Sequence, residues 1–526
     1  MLKRREFIKV AGSAALLPLI PGSVSIARAE NGDEIVRFAI AKPTGNLNPH
    51  KYSGLWGAQD LIFEPLVKYG HDGIMEPGLA ESWELLEGGH HLRLHLRKGV
   101  RFHDGAPWNA DALKWNLDRW IYMKNHNWMN HVRLFDGLHI IDSHTVEMDF
   151  KEAPLSLMYE LSYTRPVRFL SPTSVKADGS YSEPIGTGPW KQVSSNNSES
   201  VFERFDDYWG EKPTFKRLEL KVLPDSRSRM AAIRAGEIDV TGGDFFAPIN
   251  ATEAKTLKAA GIKVEVTSGI SMLMGFNPDR MPALKDANVR KAISMGFDRS
   301  AISKVLYHGF ATPAGSMFPP SVPLSGTQFP VDKRNVVQAK ALLEKAGWTG
   351  EGVREKNGKS LVLELVVSEE QIAGSRSVAE VMQAQLKEIG VKISIRSVDH
   401  ASRHSDIPKR KFDMAFFLTF GAPYEPFGTM AGYLLSTYDN GVDGKLVVDA
   451  ENLDPLLIDA MSANEDTVAT KLQMVFDWLH DQTAFAPIMF TPSFWAHTDR
   501  IKGFSIPATE YDTPYDGITI SHTDKG

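Results

Sequence analysis

Strand-like and helix-like hydrophobic periods alternate along nearly all of the 526-residue chain, without self-similarity at the roughly 20–50-residue spacing of solenoids and propellers. That alternation restricts the chain to a mixed α/β architecture. From His91 to Arg97, Leu92, Leu94 and Leu96 fall on one face and His91, Arg93, His95 and Arg97 on the other, which predicts a half-buried strand. His91 and His95 invite a reading as a metal pair, but positions i and i+4 of a strand stand about 13 Å apart. Two histidines on a wet face is therefore the expectation. Asp111–Trp120 predicts a helix entered through an Asn109-Ala110-Asp111 cap, and Val336–Ala346 a helix stopped by Gly347. Val378–Ile389 predicts a third, capped by Ser377 and ended by Gly390. Ser195–Ser200 reads as a polar turn. No Gly/Ser tether or Pro-rich spacer interrupts the chain, so lobes should be joined by short crossing segments.

The first thirty residues have their own composition. Lys3, Arg4 and Arg5 precede an apolar stretch from Val10 to Ile20, and Ala27-Arg28-Ala29 has the small-x-small form of a cleavage site. Residues 1–29 read as a secretory signal peptide, and Arg4-Arg5-Glu6-Phe7-Ile8-Lys9 resembles the twin-arginine type, whose machinery exports folded protein. Interrupted by Pro18 and Pro21, the apolar run falls short of the ~20 residues of a membrane span. No other stretch qualifies. Removing the leader takes away five basic residues and one acidic residue, leaving 54 against 64 and a formal charge of −10. That balance argues against nucleic acid or an anionic membrane as partner. The chain contains no cysteine, which excludes thiolate nucleophiles, Cys-ligated zinc, Fe–S clusters and an N-terminal cysteine lipid anchor. Any metal must be held by imidazole, carboxylate or a small molecule carried with it.

Enzyme signatures are missing: G-x-S-x-G, H-E-x-x-H, G-x-x-x-x-G-K-[ST] and a G-x-G-x-x-G after a strand are all absent. His103-Asp104-Gly105 before Ala106-Pro107 is turn chemistry at a strand end, and Gly186–Pro189 makes a rigid turn. What the chain does contain is eight short segments in a fixed order: Phe63–Tyr69, Pro77–Trp83, Leu96–Pro107, Ile185–Trp190, Tyr208–Pro213, Gly236–Asp239, Val289–Ile293 and Leu342–Trp348. Together they strongly resemble the peptide/nickel family (family 5) of solute-binding proteins that serve ABC importers, across nearly the whole mature chain. The resemblance implies a two-lobed α/β periplasmic binding protein fold of the class II, cluster C type, with an extra subdomain in the first lobe. The expected division is 30–268 for lobe I including the subdomain, 269–490 for lobe II, and 491–526 returning to lobe I. Trp83, Trp190, Trp209 and Trp348 lie in these framework segments and are expected to pack cores rather than wall a ligand.

Leu47–Tyr52, Arg165–Phe169, Arg354–Gly358, Gly421–Pro426 and Ala508–Glu510 resemble most the nickel-importer branch, in which the protein grips a chelator wrapped round the metal. The resemblance implies that Arg165 clamps a ligand carboxylate, that Trp128 and Tyr424 form aromatic walls, and that Tyr52, Trp56 and Thr509 line the cleft. Physical chemistry agrees, since a guanidinium presents a planar fork of donors to a carboxylate. Arg168, three residues on, is expected to be structural. Asn125 stands where the family carries a second carboxylate-binding arginine, and Phe420 where it carries a tryptophan. No histidine occurs from Phe427 to Asp443, where some members ligate the metal directly. Either the chelator holds the metal wholly, or another histidine such as His126 substitutes, or the ligand carries no metal. His126 is otherwise expected as an exposed helix-end residue, and Met272, Met274 and Met295 as core.

The expected function is thus a periplasmic carrier, not an enzyme, that delivers a nickel or related metal chelate to membrane permease subunits, with di- or oligopeptide binding as the alternative. It should be a monomer without a resident cofactor. An exported enzyme on the same fold would require a catalytic pair within ~3 Å of a cleft nucleophile. Lobe I should contribute Tyr52, Trp128 and Arg165, and lobe II Phe420 and Tyr424. The lobes should close about hinges near Val266–Ser271 and Met489–Ser493.

Overall fold

The computed structural model describes residues 34–521 apart from 155, 437–445 and 447; the leader at 1–29 lies outside the described residues. The chain forms one long mixed sheet whose main path runs Lys392–Ser397, Val362–Val367, Met414–Leu418, Lys263–Phe276, Phe485–His497, Val240–Gly242, Ile35–Ile40, Arg217–Val222, Glu199–Arg204 and Trp190–Ser195. At its middle, the 14-residue strand Lys263–Phe276 and the 13-residue strand Phe485–His497 pair antiparallel from Lys263↔His497 to Gly275↔Phe485. Each belongs to both halves of the molecule. Met414–Leu418 pairs with the far end of the first at Met272–Phe276, while Val240–Gly242 pairs with the far end of the second at Trp495–His497. The register slips between Thr267 and Ile270 and again between Met272 and Leu273. Both boundaries expected between lobes, 268/269 and 490/491, fall inside these two strands.

The expected strand at His91 forms as His91–Leu96, with Leu92, Leu94 and Leu96 fully buried. It lies in a separate four-stranded antiparallel sheet ordered Ala80–Leu86, His91–Leu96, Thr145–Phe150 and Phe135–Asp142. This sheet shares a core with the helix Ala110–Trp120, which the Asn109 side chain caps by accepting the Ala112 N–H at 2.9 Å. The helix Val336–Lys345 is followed by Gly347 at φ +83°, as expected. The third helix departs from expectation. It spans Ser375–Lys387, so Ser377 lies within its first turn and not at its cap. Its end N–H groups go instead to Glu369, whose carboxylate accepts from Gly374 and Arg376, a cap from outside the helix that local spacing does not show.

The framework segments converge on Glu64. Its carboxylate accepts from Thr187 Oγ1 at 2.9 Å, Tyr208 Oη at 2.7 Å and Trp209 Nε1 at 2.8 Å, and Arg97 lies over the Trp209 ring. Residues far apart in sequence are thereby tied into one scaffold. Gly186 is needed there because a Cβ would stand 2.0 Å from the Ile62 carbonyl oxygen. His103 belongs to the same scaffold through a 2.9 Å contact between Nε2 and the Gly188 carbonyl. Trp190 and Trp348 are buried and Trp83 packs on the subdomain core. Met272, Met274 and Met295 are likewise core.

Candidate functional site

Arg165 is 3% exposed. Its Nε donates to Gln59 Oε1 at 2.5 Å and its Nη2 to the Gly54 carbonyl at 2.6 Å, while the guanidinium lies 3.7 Å from the centre of the Trp56 ring. No carboxylate of the described residues forms a salt bridge with it, and burial lowers its pKa to about 10. Cation–π contact and fixed hydrogen bonds aim the fork without neutralising it. Arg168, equally buried, differs in its partners. It donates to the carbonyls of Ser162, Tyr163 and Val167 and feels the Asp60 and Asp512 charges, so it braces the backbone as expected.

Tyr52 joins two neighbours. Its oxygen accepts the Trp128 indole N–H at 2.6 Å and lies 2.9 Å from His126 Nδ1. Tyr52 is 44% exposed, yet the packing round its hydroxyl pushes its pKa up to about 12. With the indole as donor, the phenol completes the chain by donating to His126, which makes the imidazole a neutral Nε2–H tautomer. Burial holds the His126 pKa down to about 4, in keeping with that neutral form. His126 is not the exposed helix-end residue anticipated: it ends the short turn Lys124–His126 fully buried, edge-on to Trp120, with Nε2 unpartnered. The apolar packing of Trp120 and Tyr52 on both sides of the ring explains the difference.

Aromatic rings close the space around these groups. Trp128 stacks on Tyr163 at 5.7 Å and 9°. Tyr424, from the other wall, sits 4.4 Å from Tyr163 and 6.2 Å from Trp128. Tyr511 contacts Trp56, Tyr424 and Phe245, and its hydroxyl donates to the Phe420 carbonyl at 2.9 Å. Phe420 packs on Tyr433 and on the cores of both walls. With Phe245, Ile270, Tyr433 and Tyr511, it lines a cavity of about 660 Å³. The structure therefore brings Tyr52, Trp56, Trp128, Arg165 and Tyr424 into one connected group, with Phe420 joined through Tyr511. Thr509 is likewise joined through Tyr511, whose N–H its Oγ1 accepts at 3.2 Å, and it lines a cavity of about 130 Å³ with Asp244, Ser493 and Glu510.

Sequence reasoning missed Tyr163, Phe245 and Tyr511, and two carboxyl groups. Tyr163 lies two positions before Arg165 and Tyr511 two after Thr509, so proximity to singled-out residues was the available signal. Glu425 is fully enclosed. Its Oε1 accepts from Phe420 N–H, Gly421 N–H and Thr429 Oγ1, while Oε2 has no partner. Burial outweighs those donors and raises its pKa to about 8. Glu510 is raised to about 8 by the same cause, with Asp244 and Glu425 adding like charge. Its carboxylate is wedged between two glycines: a Cβ would meet it at 1.9 Å from Gly269 and at 2.6 Å from Gly421.

Among the described residues no helix is long and apolar enough to cross a membrane. A mixed sheet thus runs through both halves of the chain, and aromatic rings from each half meet around a buried arginine. The sequence profile of the bacterial extracellular solute-binding proteins, family 5, matches residues 75–441, and the chain belongs to that family. The nickel-binding periplasmic protein of Escherichia coli is 30% identical, over 90% of this chain and 92% of its own length. The crystal structure of an ABC transporter substrate-binding protein from Sinorhizobium meliloti is 53% identical, with a TM-score of 0.84, covering 93% of this chain and all (100%) of that one. NikA from Brucella suis, in complex with Fe(III)-EDTA, is 28% identical with a TM-score of 0.87, again over 93% and 100%. The expected fold and the solute-binding, non-enzymatic class are those of this family.

Proposed function

We propose that the chain is the periplasmic solute-binding component of an ABC importer and captures a transition-metal chelate, with nickel as the metal. The observation that carries this reading is Arg165: a buried guanidinium without a carboxylate partner among the described residues, held on Trp56 within a connected group of aromatic rings. A carboxylate-bearing chelator supplies the missing anion, and Trp128, Tyr163 and Tyr424 cover its apolar edges. Among the described residues, no trio of metal-ligating side chains gathers in the cleft. A metal ion entering it accordingly brings its own ligands. The relatives that bind nickel, or an iron chelate, support the same ligand class. The metal is cargo, and the reading calls for no resident cofactor.

Ligand contacts from both walls shift the population toward the closed form, which the permease subunits then recognise. The register slips beside Thr267 and Met272 support a hinge in the paired long strands, with the lobes divided as 30–268, 269–490 and 491–526. Export through a twin-arginine leader and a monomeric carrier complete the proposal. Native mass spectrometry with elemental analysis, on protein purified from its own host, tests it. A nickel-bearing small-molecule mass is expected. A co-purified peptide without metal overturns the chelate reading in favour of a peptide carrier.

A further inference from the structure

The outer face of the four-stranded sheet gathers a second set of polar groups, independent of the cleft. Cross-strand register sets His91 opposite Asp149, Arg93 opposite Glu147, and His139 opposite Glu147 on the other side. Asp149 divides its carboxylate between two imidazoles, with Oδ1 2.6 Å from His91 Nδ1 and Oδ2 2.7 Å from His139 Nε2. Glu147 is divided too: Oε2 accepts from Arg93 Nη2 at 2.9 Å, while Oε1 stands 4.0 Å from His91 Nδ1. Glu87 reaches the other ring nitrogen of His91 at 3.5 Å. His91, Glu147 and Asp149 each offer a ligand atom within 4.8 Å of the others. His95, by contrast, turns to Glu84 at 3.2 Å.

Donor atoms about 2.0–2.2 Å from a shared metal ion stand about 3.0–3.5 Å from one another. The His91–Asp149 contact needs to open by under ~1 Å, and Glu147 Oε1 to close on His91 by about 0.5–1 Å, to reach that spacing. Arg93 holds the far oxygen of Glu147 and so orients the near one, as outer partners of metal ligands do. One imidazole with two carboxylates suits borderline divalent ions such as zinc and nickel, whereas magnesium and calcium favour all-oxygen sets. We propose that this face takes up a divalent transition-metal ion from its free aqua form, through His91, Glu147 and Asp149.

Calorimetric titration of chelator-stripped protein with Zn²⁺ alone tests the site. One equivalent is expected to bind, equally in Arg165→Ala, whose cleft is altered. His91→Ala should weaken that binding at least tenfold, whereas His139→Ala, which removes a 68% exposed side chain outside the ligand trio, should not. X-ray absorption of the zinc-loaded protein should show one imidazole on the metal. Absence of binding up to about 1 mM ion, a ~4 kcal/mol ceiling, overturns the proposal. Equal affinity in wild type and His91→Ala overturns it as well.

Discussion

The two walls of the cleft handle buried charge in opposite ways. On the wall built by Tyr52, Trp128 and Arg165, every fixed polar group is a donor or a neutral link, and the arginine is held by neutral partners. On the wall built by Phe420–Thr429, the ionisable group is Glu425, turned inward on its own backbone. One wall holds a cation on neutral partners, and the other uses an acid to fold a loop. Burial alone therefore does not mark a ligand contact; the two groups differ in the partners that hold them, an amide, a carbonyl and an indole ring for Arg165 and two backbone N–H groups and a hydroxyl of its own loop for Glu425.

The largest effect should come with pH. Glu425 and Glu510 have folded pKa values of about 8 against an ordinary 4.5. Below about pH 4.5 both states are protonated and the groups contribute no pH dependence. Between about 4.5 and 8 the unfolded chain releases protons that the folded chain retains, so stability falls as pH rises through that window. Urea denaturation across the range should show the decline, and Glu425→Gln, which keeps the Oε1 acceptor, should flatten part of it. An unchanged slope in that variant would mean that Glu425 is ionised when folded, and the contrast between the walls would fail.

Next in size, Glu425→Ala strands two backbone N–H groups and a hydroxyl, and should cost about 3 kcal/mol of unfolding free energy. Arg165→Ala should reverse the pattern. Chelate affinity by calorimetry drops at least tenfold, ~1.4 kcal/mol, while the denaturation midpoint moves less than in Glu425→Ala. The smallest effect is that of Tyr52→Phe. Losing the hydroxyl between Trp128 and His126 should lower affinity by about 1 kcal/mol, roughly fivefold, with native-like tryptophan fluorescence. A loss as large as that of Arg165→Ala would place Tyr52 itself on the ligand.

Much of this division was legible in the chain. Alternating residues placed the His91 strand, an asparagine cap placed the Ala110 helix, and the framework tryptophans lie where packing puts them. Arg165 was singled out by the resemblance to the nickel-importer branch, with the planar donor fork of its guanidinium in agreement. Side-chain environments set by distant residues were not legible. Ser377 lost its expected capping position because Glu369, several residues upstream, reaches the helix end. His126 reads as polar and terminal in sequence, but Trp120 and Tyr52 enclose it. His91 meets Asp149 across the sheet, 58 positions away, while His95 turns to Glu84, so the two histidines stay apart as their spacing along one strand implied.

The two long strands at the centre carry a consequence for how the chain can be divided. Each is the ladder partner of the other from Lys263 to Gly275 and from Phe485 to His497, although more than two hundred residues separate them. A fragment ending anywhere between 277 and 484 keeps one strand and loses its mate. It would present a long, largely apolar row of open N–H and C=O groups, Met272, Leu273, Met274 and Phe276 among them, which is a template for edge-to-edge aggregation. The two halves are thus not separable pieces: neither has a finished border until Phe485–His497, the last strand of the long sheet in chain order, is in place.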